Sequence, residues 1–549
     1  MSPVGASVTG PHADWTTCWG SEVTTTTVNG HPSRIYARRP PNAFAVVRAS
    51  MRWRTRDFIV HGDRVVTFDQ LGSMVVGAMD HLVEAGVRPG DRVGIYMTNR
   101  PEWVALFWAI LGAGGIAVPF NGWWSQSELA HALTAVTPNF LVTDAQHRGR
   151  ATEGVPELAV ESIVPTGELP DATGRLAGPL PVDALTENAP AAILFTAGTT
   201  GFPKGAVLSH RALVSNLQNL LVVSRKLPEQ LADDPPASVT LVGLPLFHIG
   251  AIQLILVPMM TGSKIVFLEG KFDAGAVLRL FERERVTMFS GVPTMMERIL
   301  NHPSVDSVDA RSLRTIVLGG SPVSRDLLDR VARQFPHARR GTGQTYGMTE
   351  TGGVVSTGVG AAIEAHPGSA GRLAPVVEVR IASPDEEGIG EILVRSPSCM
   401  DGYWGLPDDP TIDADGWVRT GDLGYVDEEG FLYIRGRSKE VIIRGGENIA
   451  APHVEAALNS HPDVVESAVV GLPDPDWGEI VGAVVRVRSV PPPTVEELTE
   501  HVRRQVAHFA VPTRWWFLDR PLPTNDSGKV LKYQLIRDWP SDDASVSGS

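Results

Sequence analysis

The chain has 549 residues, of which 43% are hydrophobic and 20% charged, and its formal net charge is −14. This length exceeds that of one typical domain, so two or more domains with a large buried core are expected. The acidic balance, without any basic run, argues against nucleic acid as a partner.

Cysteine content and hydropathy point to a cytoplasmic location. Cys18 and Cys399 are too few and too far apart for a disulfide framework or a zinc site, which fits a reducing compartment. The first twenty residues lack a basic segment followed by an apolar one, so no signal peptide is predicted. The apolar stretch 254–257 is interrupted by Pro258 and is too short to span a bilayer. The sequence therefore predicts a soluble protein without stable membrane insertion.

In chain order, the elements begin with about 30 residues, including the threonine run 24–27, that are expected to be loosely ordered. Short apolar runs then alternate with helical patterns, which is typical of parallel sheets covered by helices. The apolar runs are at 93–96, 193–195 and 315–318, and a helix is predicted over 324–335. This part of the chain is predicted to be α/β.

The helical signal fades between residues 371 and 435. Short strand-like stretches at 391–394 and 431–434, with Gly and Asp turns, predict a small β-barrel. A final unit begins near Lys439. Its predicted helix covers 495–509 and starts with a capping box of Thr494 and Glu497. The tail after Trp539 is expected to be loosely ordered.

The first motif is the glycine-rich segment 196–205, which follows an apolar run. Glycines let backbone N–H groups converge on one ligand, hydroxyls add donors, and Lys204 adds a positive charge, a combination that suits a polyphosphate. The spacing does not match a P-loop, because Pro203 precedes the lysine and no Gly-Lys-Ser/Thr follows. A second strand is predicted after Lys204, which makes the segment a hairpin loop. An ordinary glycine-rich turn explains this segment equally well.

Three later motifs favour the phosphate-binding interpretation. In the segment 344–351, Tyr346 could stack on a base, Thr349 could bond a phosphate oxygen and Glu350 could hold Mg²⁺. In the segment 420–425, Asp422 offers a carboxylate suited to two ribose hydroxyls. In the segment 524–529, Lys529 lies on a polar loop that contains a glycine. Each motif alone also fits a core tyrosine, a turn aspartate or a solvated lysine, but all four in this order do not.

These motifs resemble those of the adenylate-forming enzymes, which include acyl-CoA and aryl-CoA synthetases, firefly luciferase and peptide-synthetase adenylation domains. The resemblance runs from about Arg48 to Leu535. It implies a large N-terminal adenylate-forming domain, residues 1–438, with two α/β subdomains and a small β-barrel. A small mobile α+β domain, residues 439–549, would follow it. It also implies ATP, Mg²⁺ and coenzyme A as cofactors, with the acid joined to AMP and then usually transferred to the CoA thiol.

The resemblance assigns roles to individual residues. Tyr346 would stack on adenine, Thr349 would bond the α-phosphate and Glu350 would coordinate Mg²⁺. Asp422 would bind the ribose with Arg437 beside it, while Lys529 would bridge the substrate carboxylate and the α-phosphate. The glycine-rich loop would bind the β- and γ-phosphates through Thr196, Gly198, Thr199, Thr200, Gly201 and Lys204.

Other assignments concern the acyl and CoA sites. Gly319, Gly320 and Ser321 would line the adenine and acyl pocket, with His248 at the pocket mouth, although a lone histidine on an apolar stretch is more often structural. The small domain would rotate about Lys439. The residues that would then face CoA are Gly445, Gly446, Trp477 and Phe509, of which the two aromatic residues could equally be surface residues.

Two departures from the family pattern bear on function. Ala197 stands where relatives usually carry Ser, which removes one hydroxyl donor to the phosphates. Thr345 stands where many relatives have Gly, and its branched side chain should narrow or redirect the acyl tunnel.

The predicted function is ATP-dependent ligation of a hydrophobic carboxylic acid to CoA. The first alternative is a partial synthetase that mainly forms the thioester from a preformed acyl-adenylate. Two others are a non-catalytic acyl-adenylate-binding relative and a peptide-synthetase adenylation domain, which no carrier domain follows. The sequence does not identify the acid, and it leaves a homodimer open.

Overall fold

A computed structural model describes residues 15–150, 154–165, 172–196, 203–437, 441–444, 447–474, 477–488, 491–524 and 528–540. The helices of these segments are α1 Ala45–Ser50, α2 Phe68–Glu84, α3 Pro101–Gly112, α4 Gln126–Val136, α5 Val160–Ile163, α6 Thr173–Ala177, α7 His210–Val223, α8 Ile249–Thr261, α9 Ala274–Arg283, α10 Pro293–Leu300, α11 Arg325–Gln334, α12 Ala361–Ala365, α13 Ala451–Asn459, α14 Val495–Arg503 and α15 Lys532–Arg537. Short 3₁₀ turns lie at Met51–Trp53, Pro181–Ala184, Pro228–Gln230, Pro336–Gly341 and His508–Ala510.

The strands fall into five sheets. In chain order they are β1 Val23–Val28, β2 His31–Tyr36, β3 Asp57–His61, β4 Arg64–Thr67, β5 Arg92–Tyr96, β6 Ile116–Pro119, β7 Phe140–Thr143, β8 Glu157–Ala159, β9 Pro190–Thr196, β10 Lys204–Ser209, β11 Val239–Val242, β12 Lys264–Phe267, β13 Met288–Gly291, β14 Thr315–Leu318, β15 Thr342–Met348, β16 Gly353–Val359, β17 Arg372–Leu373, β18 Glu378–Ala382, β19 Gly390–Arg395, β20 Val418–Val426, β21 Leu432–Arg437, β22 Val441–Arg444, β23 Glu447–Ala450, β24 Val464–Asp474, β25 Gly478–Val487 and β26 Arg514–Phe517.

Two large sheets confirm the predicted α/β class. The six-stranded sheet has the order β10-β9-β6-β5-β7-β8 and is parallel except for β10, which pairs antiparallel with β9. The nine-stranded sheet has the order β17-β16-β15-β14-β13-β11-β12-β3-β4 and is parallel from β15 to β3. Such parallel strands are buried on both faces, which explains why their sequences read as continuous apolar runs.

A four-stranded antiparallel sheet, β18-β19-β20-β21, follows the two large sheets. It occupies the region where strands with Gly and Asp turns are predicted. Its pairing runs along an open path of four strands, so closure into a barrel stays a prediction.

The C-terminal unit has its own sheet, β23-β22-β25-β24, and β26 pairs in parallel with β25. Helices α13 and α14 cover one hydrophobic cluster, which includes Val454, Leu458, Leu498 and Trp515. The predicted boundary between residues 438 and 439 falls in the gap between β21 and β22, outside the described residues, and stays a prediction.

Three local predictions need correction. The threonine run near the N-terminus forms β1, which pairs with β2 throughout its length, because β-branched residues favour extended structure. Helix α14 ends at Arg503 and not at residue 509, although its capping box is present as predicted. Pro258 lies inside α8, which continues to Thr261. Among the described residues, no helix combines the length and the apolar character needed to cross a membrane.

Candidate active site

The described ends of the glycine-rich motif belong to two paired strands, β9 and β10. Thr196 and Lys204 are paired across the two strands, which confirms the predicted second strand. Lys204 Nζ lies 2.7 Å from Asp409 Oδ2. Although burial alone would raise the pKa of Asp409, hydrogen bonds from Lys204 and Thr411 lower it, so the Asp409 carboxylate is charged at neutral pH. Four predicted phosphate ligands, Gly198, Thr199, Thr200 and Gly201, lie outside the described residues, as does Ala197.

A distant segment, residues 401–404, pairs with β10 and completes this corner. The N–H of Val207 donates to the carbonyl of Gly402 at 2.9 Å, and the N–H of Trp404 donates to the carbonyl of Gly205 at 2.8 Å. This pairing brings the Tyr403 ring to 5.1 Å from Lys204 Nζ. Tyr403 therefore lies between the hairpin and the carboxylate described next.

Glu350, the predicted magnesium ligand, is buried at 7% exposure in the turn after β15. It accepts a hydrogen bond from the Tyr403 hydroxyl at 2.7 Å. Burial raises the pKa of Tyr403, the Glu350 charge raises it further, and Thr196 is a further hydrogen-bond partner. The phenol thus stays protonated and donates. In the same turn the half-buried Thr349 accepts the N–H of Gly352 through its carbonyl at 2.9 Å.

The predicted adenine and ribose residues hydrogen bond to one another. Asp422 Oδ2 accepts from the Tyr346 hydroxyl at 2.6 Å, and Asp422 Oδ1 accepts from Arg437 Nε at 2.8 Å. Burial raises the pKa of Tyr346 well above its usual value, and the Asp422 charge adds to this rise. Asp422 and Arg437 also face each other across β20 and β21. The structure therefore brings Tyr346, Asp422 and Arg437 into one cluster.

The segment of Gly319, Gly320 and Ser321 follows β14, as predicted, and lies against Thr345 on β15. A Cβ atom on Gly319 would lie 2.7 Å from both the methyl carbon and the carbonyl oxygen of Thr345, so a side chain does not fit there. Gly320 has φ +78° and packs against Val292. The Thr345 hydroxyl donates to the carbonyl of Ser356 at 3.1 Å. The effect of Thr345 on an acyl tunnel stays a prediction.

The lysine motif of the C-terminal unit reaches this same edge. The Gly528 carbonyl accepts a hydrogen bond from Thr294 Oγ1 at 2.9 Å. A Cβ atom on Gly528 would lie 3.0 Å from Val292, the residue that also packs against Gly320. Lys529 therefore begins one residue from a contact with the N-terminal unit, close to the predicted acyl and adenine segment.

His248 precedes α8 and packs against Phe247, with ring centroids 4.5 Å apart. Its Nε2 atom is buried without a hydrogen-bond partner in the structure, and burial lowers the pKa of His248 to about 4. The imidazole is therefore neutral at pH 7. Phe247 also contacts Trp123 edge-on at 5.7 Å, so the histidine lies in an aromatic environment. Its place at the mouth of an acyl pocket stays a prediction.

The predicted CoA contacts lie on the C-terminal unit. Trp477 is 52% exposed, and the guanidinium of Arg444 lies 5.4 Å from its ring centroid. Arg444 Nη1 donates to the carbonyl of Phe509 at 2.8 Å. Gly445, Gly446 and the predicted hinge residue Lys439 lie outside the described residues.

Three residues in this region were missed from the sequence: Thr294, Tyr403 and Asp409. Asp409 follows Pro407 and Asp408 in a segment typical of an exposed turn. Its contact with Lys204 spans about 200 positions, and local sequence patterns carry no signal for such a pairing. A tyrosine two residues after Asp401 likewise has no local feature that marks it as a partner of Glu350.

Comparison with known families decides the relationship. The model described as AMP-binding enzyme matches residues 35–404, and the model described as AMP-binding enzyme C-terminal domain matches residues 453–529. The chain belongs to the AMP-binding enzyme family. This confirms the resemblance found in the sequence motifs.

Several members of the AMP-binding enzyme family are similar over most of their length. A feruloyl-CoA synthase from Amycolatopsis sp is 38% identical, over 87% of this chain and 94% of that protein. A mitochondrial medium-chain acyl-CoA ligase from Mus musculus is 32% identical, over 87% and 83%. A 2-succinylbenzoate–CoA ligase from Bacillus mycoides is 33% identical, over 86% and 93%.

Solved structures of the family also match. ATP-bound MatB from Rhodopseudomonas palustris is 29% identical, with a TM-score of 0.75, over 90% of this chain and 98% of that chain. The o-succinylbenzoate CoA synthetase from Bacillus subtilis, in complex with its acyl-adenylate intermediate, is 30% identical with a TM-score of 0.73 over the same shares. The same synthetase with ATP and magnesium ion is 29% identical with a TM-score of 0.72, over 89% and 99%.

Proposed function

We propose that this protein is an ATP-dependent acid–CoA ligase that forms an acyl-adenylate and transfers its acyl group to coenzyme A. The observation that carries the proposal is one unbroken series of contacts. It runs from Lys204 through Tyr403 to Glu350, and along β15 to the cluster of Tyr346 and Asp422. From Thr345 it continues through Gly319 and the adjacent Gly320 to Val292. Val292 lies against Gly528, the residue before Lys529. The relatives named as CoA ligases and synthetases, and the neighbours solved with ATP, magnesium or an acyl-adenylate, support it.

In the first step a carboxylate has to approach a phosphorus atom that is surrounded by negative oxygens. Positioning and charge neutralisation are the main requirements of such a step. Lys529 would bridge the acid and the α-phosphate, Thr349 would bond an α-phosphate oxygen, and Lys204 would attract the pyrophosphate charge. Asp422 and Arg437 would hold the ribose, and Tyr346 would stack on adenine.

The residues present fit a magnesium ion. Glu350 offers a buried carboxylate, the ligand type that Mg²⁺ prefers, and Tyr403 fixes one of its oxygens. Glu350 would hold the ion, which supplies charge neutralisation at the phosphate oxygens. Tyr403 keeps the carboxylate oriented because its phenol remains a hydrogen-bond donor.

The second step requires the lysine loop to leave and a CoA thiol to enter. Rotation about Lys439 would exchange Lys529 for Gly445 and Gly446, where small residues leave room for the pantetheine arm. Trp477 is exposed on the C-terminal unit with the Arg444 guanidinium 5.4 Å from its ring centroid, and an aromatic ring beside a positive charge is suited to the CoA nucleotide. In this proposal the N-terminal domain ends at residue 438, and the rotating C-terminal domain begins at residue 439.

The acid is proposed to be hydrophobic. His248 is neutral because burial lowers its pKa, Phe247 packs against it, and Trp123 contacts Phe247 in turn. An uncharged, aromatic wall favours an apolar or aryl acid over a dicarboxylate. A cytoplasmic location remains a prediction from the sequence, which leaves a homodimer open.

A parallel assay tests the function. The protein is incubated with ATP, Mg²⁺, coenzyme A and a panel of fatty, aryl and polycyclic acids, and acid-dependent pyrophosphate release is measured. CoA thioesters are followed by mass spectrometry. We expect one class of acid to give both products. Thioester from a supplied acyl-adenylate, without pyrophosphate release from ATP, would instead support a partial synthetase, which the loss of a hydroxyl at Ala197 favours. Neither product with any acid would overturn the proposal.

A further inference from the structure

Helix α10 is the part of the N-terminal unit that meets the lysine motif. Thr294, in the first turn of α10, donates its hydroxyl to the Gly528 carbonyl at 2.9 Å. The residue before α10, Val292, makes no side-chain capping bond, and Thr294 does not cap its own helix. The Thr294 hydroxyl therefore bonds across 234 positions of sequence and not within its own turn.

The backbone conformation of Gly528 and its lack of a side chain allow this close approach. Its φ is +81°, a backbone conformation that glycine adopts without strain. A Cβ atom at this position would lie 2.9 Å from Thr294 Oγ1 and 3.0 Å from Val292. The backbone of Gly528 thus sits directly on α10, and the next residue is Lys529.

A second feature of α10 faces the same way. Glu297, one turn further along, forms a salt bridge with Arg330, with 2.9 Å between Arg330 Nη1 and Glu297 Oε2. Burial raises the pKa of Glu297, and the nearby Asp326 adds to this rise. The positive charges of Arg330 and of Arg488, in the C-terminal unit, oppose it. Arg488 follows β25, so a charge of the C-terminal unit acts on a carboxylate of α10.

We propose that Thr294 is a positioning residue whose hydroxyl, by holding the Gly528 carbonyl on α10, places Lys529 for acyl-adenylate formation and releases it for thioester formation. This inference rests on the proposed function. The hydrogen bond exists in only one orientation of the C-terminal unit, because Thr294 belongs to the N-terminal unit. Thr294 should consequently influence the first half-reaction and not the second.

Thr294→Val removes the hydroxyl and keeps the branched shape, and Thr294→Ser is the matched control that keeps the hydroxyl. Loss of one ordinary hydrogen bond corresponds to an effect of about fivefold. We expect acid-dependent pyrophosphate release by Thr294→Val to fall about fivefold, with Thr294→Ser close to the parent. Thioester formation from a supplied acyl-adenylate should not change in either variant. Equal losses in both half-reactions would indicate a structural role and would overturn the proposal.

A spectroscopic readout separates this inference from the proposed function. Both native cysteines are buried, so spin labels can be placed at Arg279→Cys and Arg504→Cys, whose side chains are 75% and 72% exposed on the two units. Distance distributions are then measured in the full chain by pulsed electron resonance. One label-to-label distance corresponds to the orientation of the two units in this structure. In Thr294→Val the ratio of molecules with this distance to molecules with other distances should fall about fivefold, and in Thr294→Ser it should not change. An unchanged distance distribution in Thr294→Val would overturn the role of Thr294, even if the parent protein ligates an acid to CoA. A shifted distribution would support this role, even if the parent protein ligates none of the acids tried.

Discussion

At the scale of single residues, Tyr403 links two charged groups that the sequence analysis treated separately. Its hydroxyl donates to Glu350 at 2.7 Å, and its ring lies 5.1 Å from Lys204 Nζ. A phenol whose pKa is raised by burial and by a neighbouring carboxylate is a reliable donor at neutral pH. Tyr403 therefore fixes the carboxylate proposed to hold magnesium.

Replacing Tyr403 by Phe removes that donor and keeps the ring. A hydrogen bond to a charged group contributes about 1.5 kcal/mol or more, so the rate of acid-dependent pyrophosphate release should fall about tenfold. The matched control is Tyr425→Phe. In the parent, the Tyr425 hydroxyl accepts a hydrogen bond from Arg435 on the exposed β20–β21 surface. Steady-state kinetics over a range of Mg²⁺ concentrations measure both. Identical losses in the two variants would contradict a specific role for Tyr403.

Sequence motifs assigned roles to single residues and did not reveal the contacts between them. Tyr346 and Asp422 were assigned from motifs to a base and to ribose, and those roles remain proposals. The hydrogen bond from the tyrosine hydroxyl to the aspartate was not predicted, because β15 and β20 belong to different sheets. Side-chain partners of this kind depend on how sheets pack, which local residue patterns do not encode.

At the scale of elements, the β9–β10 hairpin shows what local patterns predict. Its two strands follow from apolar runs on either side of a glycine-rich loop, and the structure confirms both. The addition of residues 401–404 along β10 was not predicted, because the segment 401–411 has turn residues in place of an alternating pattern. Tertiary pairing at a sheet edge thus supplies Asp409 to Lys204.

Asp409→Asn should lower the KM for ATP by about three- to tenfold. The carboxylate competes with the phosphates for Lys204 and repels them, and its side chain is only 11% exposed, so water screens it weakly. Asparagine keeps an oxygen that can accept from Thr411, as Asp409 does at 2.6 Å. The exposed neighbour provides a control, Asp408→Asn. An unchanged or higher KM in Asp409→Asn would show that the carboxylate orients Lys204 productively.

At the scale of the whole molecule, the arrangement of units was predictable in outline. Alternation of apolar runs with helical patterns indicated the α/β body, and the structure confirms it in two large sheets. The N-terminal hairpin was missed because threonine-rich runs are also typical of loose termini. The contact of Gly528 with Thr294 was inaccessible to sequence reasoning, because it depends on how two separately folded units meet.

Acid stability is another property of the whole molecule, and His210 contributes to it. His210 is fully buried at the start of α7, and burial lowers its pKa to about 4. In the unfolded chain His210 binds a proton near pH 6.5, whereas in the folded chain it stays neutral down to about pH 4. The stability that depends on a neutral His210 is therefore fully present above pH 6.5 and is lost as the pH falls toward 4. At pH 5 the loss is about 2 kcal/mol. His210→Gln should reduce the fall in unfolding free energy between pH 7 and pH 5 by about this amount.

Urea denaturation at the two pH values measures this difference. The control is His337→Gln, at an exposed position of the same unit. If His210→Gln shows the same fall as the parent, His210 is not the group responsible.

The central claim is that one lysine on the C-terminal unit serves the first half-reaction alone, and Lys529→Ala tests it most directly. Pyrophosphate release with the best acid and thioester formation from the matching supplied acyl-adenylate are measured in the same preparation, with the exposed Lys271→Ala as control. Loss of one preorganised electrostatic group predicts a fall of about 10²–10³-fold in pyrophosphate release. Thioester formation should remain close to that of the parent. Equal losses in both half-reactions, or no loss in either, would contradict the account.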